Sequence, residues 1–224
     1  MKKCVLLLSG GMDSVSLLYY VVKELSFEEV YALSFNYGQK HSRELKEASW
    51  NCEKFNEVKE HRILDLQFMR EILQDSSSLV GDKIDVPDLD KISESELDQP
   101  VTYVPNRNMM LLSLAASYAE SCSCTEVYYG AQAQDEYGYW DCTKEFLEKI
   151  NAVLDLNRRD GITIKAPFVG KSKGDVVAIG NKYGVDFSHT WTCYRGGDVP
   201  CGTCPSCVER RLAFEKARVV DPLV

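Results

Sequence analysis

Blocks of apolar residues alternate with amphipathic stretches along this chain, and their lengths separate strands from helices. The apolar run 4–8 is typical of a buried parallel strand, and apolar residues at helical spacing predict a helix over 15–25. Further strands are predicted at 30–35, 61–66, 126–129 and 162–166, and further helices at 43–56, 108–120, 145–156 and 173–183. Strands that alternate with helices indicate an α/β fold, with a mainly parallel sheet covered on both faces.

The junction of the first strand and the first helix has the sequence Ser-Gly-Gly-Met-Asp-Ser over 9–14. The backbone N–H groups of an opening helical turn are unpaired, and the helix dipole favours an anion there. Gly10 and Gly11 leave room for an oxygen near the backbone, and Ser9 and Ser14 add hydroxyl groups. The hexapeptide lacks the Lys-Ser/Thr ending of a Walker loop and is not G-x-G-x-x-G. It predicts a phosphate-binding loop, and a plain strand-to-helix turn with an N-cap is the alternative.

Four of the nine cysteines lie within the last 32 residues, in two successive C-x-x-C steps with a fourth cysteine eight residues upstream. This spacing predicts a closed tetrahedral zinc site with a structural role, because four thiolates leave no position for water. An iron–sulfur cluster is the alternative. The expected ligands of one Zn²⁺ per chain are Cys193, Cys201, Cys204 and Cys207. Clustered thiols also favour a reducing, cytoplasmic compartment.

Composition and charge limit the remaining function classes. The 224 residues predict one domain over 1–224, with an acidic excursion at 75–102 and a zinc-binding lobe at 191–224. Eight acidic residues and two lysines give 75–100 a charge of −6, and this segment is expected to be a solvated excursion or lid. The overall charge of −8 argues against nucleic-acid binding. No apolar stretch is long enough to predict a membrane span.

The S-G-G-x-D-S order resembles the pyrophosphatase loop of enzymes that split ATP into AMP and pyrophosphate. Four more blocks, at 33–44, 103–108, 130–142 and 191–194, stand in a fixed order around that loop and the four cysteines. With them, nearly the whole chain outside the acidic excursion resembles the QueC family of 7-cyano-7-deazaguanine synthases. The resemblance implies a doubly wound sheet of the adenine-nucleotide hydrolase type with a Cys4 zinc lobe, and usually a homodimer.

The resemblance also implies a ligase that joins 7-carboxy-7-deazaguanine and ammonia at the expense of ATP with Mg²⁺. Adenylation of the carboxylate would give an amide, and adenylation of the amide would give the nitrile. The ATP-binding residues would be Ser9, Gly10, Gly11, Met12, Asp13, Ser14 and Leu33. The catalytic residues would be Asp13, His41, Arg107 and Lys173. The deazaguanine ligands would be Gln39, Arg107, Asn108, Asp135, Tyr139 and Asp141.

Three positions depart from the family pattern. Trp140 and Thr143 replace the proline and arginine of G-Y-P-D-C-R, and Asn106 replaces a usual glycine. The departures leave open a paralogue that stops at the amide, or that couples the deazaguanine to another amine or a protein. A tRNA-modifying enzyme with the same loop is a more distant alternative, and so is a zinc-stapled nucleotide-binding module without turnover.

Overall fold

The computed structural model describes residues 1–92, 100–133, 138–158 and 161–224. Its centre is a parallel five-stranded sheet formed by β1 (Lys3–Leu7), β2 (Glu29–Asn36), β3 (Val58–Asp65), β4 (Glu126–Tyr128) and β5 (Thr163–Lys165). The strand order is β3-β2-β1-β4-β5. From β1, the chain adds β2 and β3 toward one edge of the sheet. It then crosses back and adds β4 and β5 on the other side of β1. The point where the direction reverses lies between β1 and β4, where open α/β sheets bind their ligands.

Seven helices connect or flank these strands within the described ranges. They are α1 (Met12–Lys23), α2 (Glu44–Cys52), α3 (Met69–Leu73), α4 (Arg107–Ser121), α5 (Lys144–Leu154), α6 (Lys173–Lys182) and α7 (Pro205–Ala217). No helix in these parts of the chain is both long and apolar enough to cross a membrane.

Alternate residues of β1 face two separate apolar cores. Val5 packs with Leu112 and other buried residues of α4, whereas Leu6 packs with Val15 of α1 and Val176 of α6. Both faces of the sheet are thus covered by helices, and side-chain alternation along one strand serves both layers. The predicted doubly wound α/β fold is confirmed.

Three predicted boundaries or features differ from the structure. Strand β3 starts at Val58, before the predicted start at 61. Its first residues include polar Lys59 and Glu60 on the edge strand, so they do not form an apolar run. Helix α2 ends at Cys52 because Phe55 leaves the helix and packs edge-on against Tyr19, with ring centroids 4.7 Å apart. Helices α3 and α7 were not predicted.

The acidic segment is only partly solvated, contrary to expectation. Its residues 77–80 are buried, and Leu79 and Val80 join the core on the α4 side of the sheet. Backbone bonds fix this stretch: the Lys40 N–H donates to the Leu79 carbonyl at 3.0 Å, and the Ser78 N–H donates to the Val101 carbonyl at 2.8 Å. The carboxylates of Asp75 and Asp82 stay exposed, so burial follows the apolar residues within the acidic run.

Candidate active site

The loop after β1 is organised around the hydroxyl group of Ser14. Its Oγ accepts the N–H groups of Ser9 and Gly10, both at 3.2 Å, and donates to the Gly11 carbonyl at 3.0 Å. The Ser9 Oγ accepts the Gly11 N–H at 3.1 Å. The two serines predicted as phosphate donors therefore first hold the loop in its own shape, which lowers the reorganisation needed when an anion binds.

Gly10 allows this loop to touch helix α2. Its φ is +94°, and a Cβ on this residue would lie 1.9 Å from the Glu44 carbonyl oxygen. On the other side, the Gly10 carbonyl accepts the Trp191 N–H at 3.0 Å. The sequence predicts that the absence of a side chain at Gly10 lets a ligand oxygen approach the backbone. In the structure, it is α2 that approaches Gly10 closely.

The N-termini of four helices meet at one pocket at the carboxyl edge of the sheet. Met12 and Asp13 of α1, Arg107 and Asn108 of α4, Lys173 of α6 and Ser206 of α7 line it. Since each N-terminus carries partial positive charge, the pocket favours anions from several directions. Of the other predicted ATP and catalytic residues, Ser9, Gly11, Ser14, Leu33 and His41 also line the pocket.

A buried polar cluster occupies the wall formed by the β2–α2 connection. The His41 Nε2 lies 3.5 Å from Glu44 Oε1, and an Arg107 Nη donates to the Tyr37 hydroxyl at 3.4 Å. Burial lowers the pKa of His41 to about 3, with a further contribution from Arg107, and burial raises the pKa of Glu44 to about 8. At neutral pH both groups are mainly uncharged, so Arg107 carries the charge of this trio.

Gln39 contacts the backbone of its own loop and is not among the residues that line the pocket. Its Oε1 accepts the Tyr37 N–H at 2.9 Å, and its Nε2 donates to the Phe35 carbonyl at 3.0 Å. The second Nε2 hydrogen points toward Glu44 Oε1 at 3.4 Å. These hydrogen bonds engage both ends of the Gln39 amide with the protein, and its role as a substrate ligand stays a prediction.

Asp141 is likewise engaged with the protein. Its Oδ2 accepts the Asn108 N–H at 3.0 Å, which caps the start of α4, and burial raises the pKa of this carboxyl group. The Asn108 side chain donates to Cys142 Sγ at 3.1 Å. Tyr139 does line the pocket, and its hydroxyl shares a 2.6 Å hydrogen bond with Thr102. Asp135 lies outside the described residues.

The three departures from the family pattern have structural partners. The Trp140 indole N–H donates to the Tyr103 hydroxyl at 2.7 Å, and the Asn106 N–H donates to the same oxygen at 3.0 Å. Asn106 has φ +55°, a left-handed conformation that asparagine adopts more readily than most residues. Thr143 caps α5 by accepting the Phe146 N–H at 3.0 Å. Trp140, Tyr103 and Asn106 together form what we call the Tyr103 clamp.

Lys173 is buried at the start of α6, where its ammonium group forms an ion pair with Glu209 of α7. A buried ammonium requires such a counterion. The pair therefore fixes the predicted phosphate lysine against the helix that follows the cysteines.

The four C-terminal cysteines converge. Their sulfur atoms all lie within 4.8 Å of one another, and the four residues are buried or half-buried. Four thiolates about 2.3 Å from one ion would lie about 3.8 Å apart, which fits this arrangement. The N–H groups of Cys201 and Cys204 point at neighbouring sulfur atoms, 3.5 Å and 3.3 Å away, and would stabilise thiolate charge.

Sequence reasoning missed several residues of the pocket wall. Leu79 and Thr102 come from the acidic segment, and Ser206 comes from between two of the cysteines. Trp191, Thr192 and Tyr194 line the pocket from the stretch that enters the cysteine lobe. For Leu79, the available signal was an apolar pair with Val80 inside an acidic run. For Ser206, it was the position of a polar residue between two predicted metal ligands.

Comparison with known proteins agrees with this architecture. A solved 4-thiouridine synthetase–RNA complex with bound ATP aligns with a TM-score of 0.53 over 97% of this chain and 50% of that chain. At 17% sequence identity, this similarity shows a shared fold.

Relatives in sequence are more specific. A 7-cyano-7-deazaguanine synthase of Marinobacter nauticus is 45% identical over 98% of this chain and 95% of its own length. The enzyme of that name from Pseudoalteromonas atlantica is 43% identical over 99% of this chain and 98% of its own length. The family model "Queuosine biosynthesis protein QueC" matches residues 3–218. The chain belongs to the QueC family.

Proposed function

We propose that this protein is a 7-cyano-7-deazaguanine synthase. It converts 7-carboxy-7-deazaguanine and ammonia into the nitrile, with two ATP spent as AMP and pyrophosphate. The observation that carries the proposal is the convergence of the loop 9–14 with the cation of Arg107 in one pocket, in a chain of this family. One end of the pocket suits a polyphosphate and the other suits a carboxylate.

The chemistry requires activation because oxide is a poor leaving group. The carboxylate oxygen attacks the α-phosphorus of ATP, and the bond to pyrophosphate breaks. Ammonia then adds to the acyl carbon, AMP leaves with its electron pair, and a proton is lost to give the amide. The amide oxygen attacks the α-phosphorus of a second ATP, and a second pyrophosphate leaves. AMP then departs with that oxygen as the C≡N bond forms with loss of two protons.

The residues divide between the two ends of the pocket. The loop 9–14 with Asp13 and Lys173 faces the polyphosphate, where negative charge grows on the leaving pyrophosphate. Arg107 suits the substrate carboxylate. Glu44 is mainly uncharged at neutral pH and does not repel that carboxylate, and uncharged His41 does not repel Arg107. Asn108 and Tyr139, which line the pocket, would contact the deazaguanine ring, while Gln39 and Asp141 would hold the walls.

Two metals belong to this proposal. Mg²⁺ would enter with ATP and neutralise phosphate charge beside the loop 9–14. Zn²⁺ fits the four cysteines because their sulfur atoms surround a common centre at a separation suited to one ion. An iron–sulfur cluster is the competing occupant, and metal analysis separates the two. The homodimer stays a prediction.

Product analysis tests the proposed reaction. Purified protein is incubated with ATP, Mg²⁺, ammonium and 7-carboxy-7-deazaguanine, and nucleotides and deazaguanines are identified by mass. We expect AMP, pyrophosphate and the nitrile. Accumulation of the amide alone would identify the paralogue that the substitutions Trp140 and Thr143 left open. ADP and orthophosphate would contradict the assigned role of the loop.

A further inference from the structure

Helix α7 begins between two cysteines of the metal cluster and directs its first turn at the pocket. Pro205 at the first helical position has no N–H, so the first amide N–H of the helix belongs to Ser206. Ser206 is 5% exposed and lines the pocket. Its hydroxyl has no hydrogen-bond partner within the part of the chain that the structure describes. The hydroxyl faces the pocket and can therefore donate to a ligand bound there.

A cation lines the same pocket as this hydroxyl. Glu209 follows Ser206 by three residues, which places both on one face of α7, and Glu209 pairs with the Lys173 ammonium group. Lys173 and Ser206 both line the pocket. A hydroxyl donor, an ammonium group and the positive end of a 13-residue helix thus face the same space.

Ser206, Lys173 and the start of α7 would contact whichever anion the neighbouring loop 9–14 binds. The segment that leads into the cysteine lobe lies directly on that loop, since the Trp191 N–H donates to the Gly10 carbonyl at 3.0 Å. Arg107 lies instead in the buried cluster with Tyr37 and His41. The α7 end therefore belongs with the polyphosphate, and the α4 end belongs with the substrate carboxylate.

We propose that Ser206 is a phosphate ligand, whose hydroxyl donates to the two terminal phosphates of ATP that leave as pyrophosphate. This inference deepens the proposed function and depends on its nucleotide chemistry. It gives the cysteine lobe a part in the active site: the ligands Cys204 and Cys207 flank Ser206 and hold its backbone, so the bound metal would fix the hydroxyl in the pocket.

Kinetics of Ser206→Ala test the inference against its matched controls. A hydrogen bond to a charged group corresponds to roughly 10- to 100-fold in affinity. We expect the KM for ATP and the inhibition constant of pyrophosphate to rise by about that factor, whereas the inhibition constant of AMP stays unchanged. Ser206→Thr retains the hydroxyl and should remain close to wild type. Val208→Ala, a truncation on the same helix away from the pocket, should leave all three constants unchanged.

A second measurement needs no variant. Amide hydrogen exchange over residues 204–208 of the metal-loaded wild-type protein should slow when Mg²⁺ and pyrophosphate are added, and AMP alone should not produce this effect. Unchanged exchange, unchanged pyrophosphate inhibition in Ser206→Ala, or an equal rise for AMP and pyrophosphate would each overturn the inference. If wild type binds pyrophosphate through Ser206 but forms no nitrile or amide, the inference stands and the proposed reaction fails.

Discussion

At the scale of single residues, one departure from the family pattern adds a side-chain hydrogen bond beside the pocket. The Trp140 indole N–H and the Asn106 backbone N–H both donate to the hydroxyl of Tyr103, and only the first of these bonds depends on the side chain. This Tyr103 clamp joins the segment 138–143 to the start of α4. Tyr139, next to the clamp, lines the pocket. A bulky residue in place of proline therefore supplies a hydrogen bond that positions the proposed deazaguanine contacts.

Trp140→Phe removes the indole N–H and retains an aromatic ring. We expect the KM for 7-carboxy-7-deazaguanine to rise about five- to tenfold, because one neutral hydrogen bond is worth about 1 kcal/mol, with little change in the KM for ATP. Steady-state kinetics with each substrate varied separately measures this difference. Trp50→Phe, at a tryptophan stacked on His189, is the control and should change neither constant. Equal rises in both KM values would contradict a local effect on the deazaguanine end.

Glu44 gives a pH-dependent contribution to stability. Burial raises its pKa from 4.5 to about 8, so the folded protein binds more protons than the unfolded chain between those values. The free energy of unfolding therefore falls as pH rises from about 4.5 to about 8. His41, with its pKa lowered to about 3, has the opposite effect, but only below about 6.5.

Glu44→Gln removes the carboxyl titration and retains an acceptor for Gln39. We expect this variant to gain stability relative to wild type as pH increases from 6 to 9, by on the order of 1–3 kcal/mol. Urea unfolding at several pH values measures the difference. Glu53→Gln, at an exposed position just after α2, should show no such trend. A Glu44→Gln difference that is independent of pH would exclude a protonated Glu44 in the folded state.

At the scale of elements, the contact between the phosphate loop and α2 depends on the absence of a side chain at Gly10. Gly10→Ala would combine a positive φ with a Cβ 1.9 Å from the Glu44 carbonyl. Gly170 also has a positive φ, +81°, but a Cβ there meets nothing within 4 Å among the described residues. A comparison of alanine substitutions at the two positions therefore separates the cost of backbone strain from the cost of steric overlap.

We expect Gly170→Ala to cost about 1–2 kcal/mol through backbone strain alone. Gly10→Ala should cost more than about 3 kcal/mol and also abolish ATP binding, because the loop must move away from α2. Denaturant unfolding and calorimetric titration with ATP and Mg²⁺ measure the two effects. Similar costs for both variants, with ATP binding retained, would mean that α2 yields to the new methyl group.

The same elements show what sequence can and cannot predict. The apolar runs of β1, β2, β4 and β5 follow local rules, and the structure confirms these strands. The hexapeptide lies at the β1–α1 junction as predicted, and its phosphate-binding role stays a prediction. The hydrogen bonds of Gln39 and Asp141 to the backbone depend on which N–H groups lie near them after folding. That proximity is tertiary: Asp141 is 33 residues from the amide it caps. The burial of residues 77–80 was hidden because their acidic neighbours dominate the average composition.

At the scale of the whole molecule, the cysteine lobe (191–224) is tied to the acidic segment and is held together by its own ion pair. Arg195 pairs with Asp88 of the acidic segment at 2.6 Å. Arg210 forms a buried bidentate pair with Asp221, with two N–O distances of 2.8 Å, and also donates to Thr192 of the pocket wall at 3.1 Å. Disturbance of the lobe should therefore reach the pocket through Thr192 and Trp191.

Removal of the metal should consequently abolish activity as well as destabilise the lobe. Binding of structural zinc is worth about 10–16 kcal/mol in small domains, as much as the whole stability of a typical domain. On titration with a chelator, we expect activity and metal content to fall together with a change in tryptophan fluorescence, and Zn²⁺ to restore all three. Cys201→Ala should purify without the metal and without activity, whereas Cys122→Ala, outside the cluster, should retain both. Full turnover by protein with less than about a tenth of an equivalent of metal would contradict this coupling, because the pocket wall would then keep its shape without the ion that the four thiolates surround.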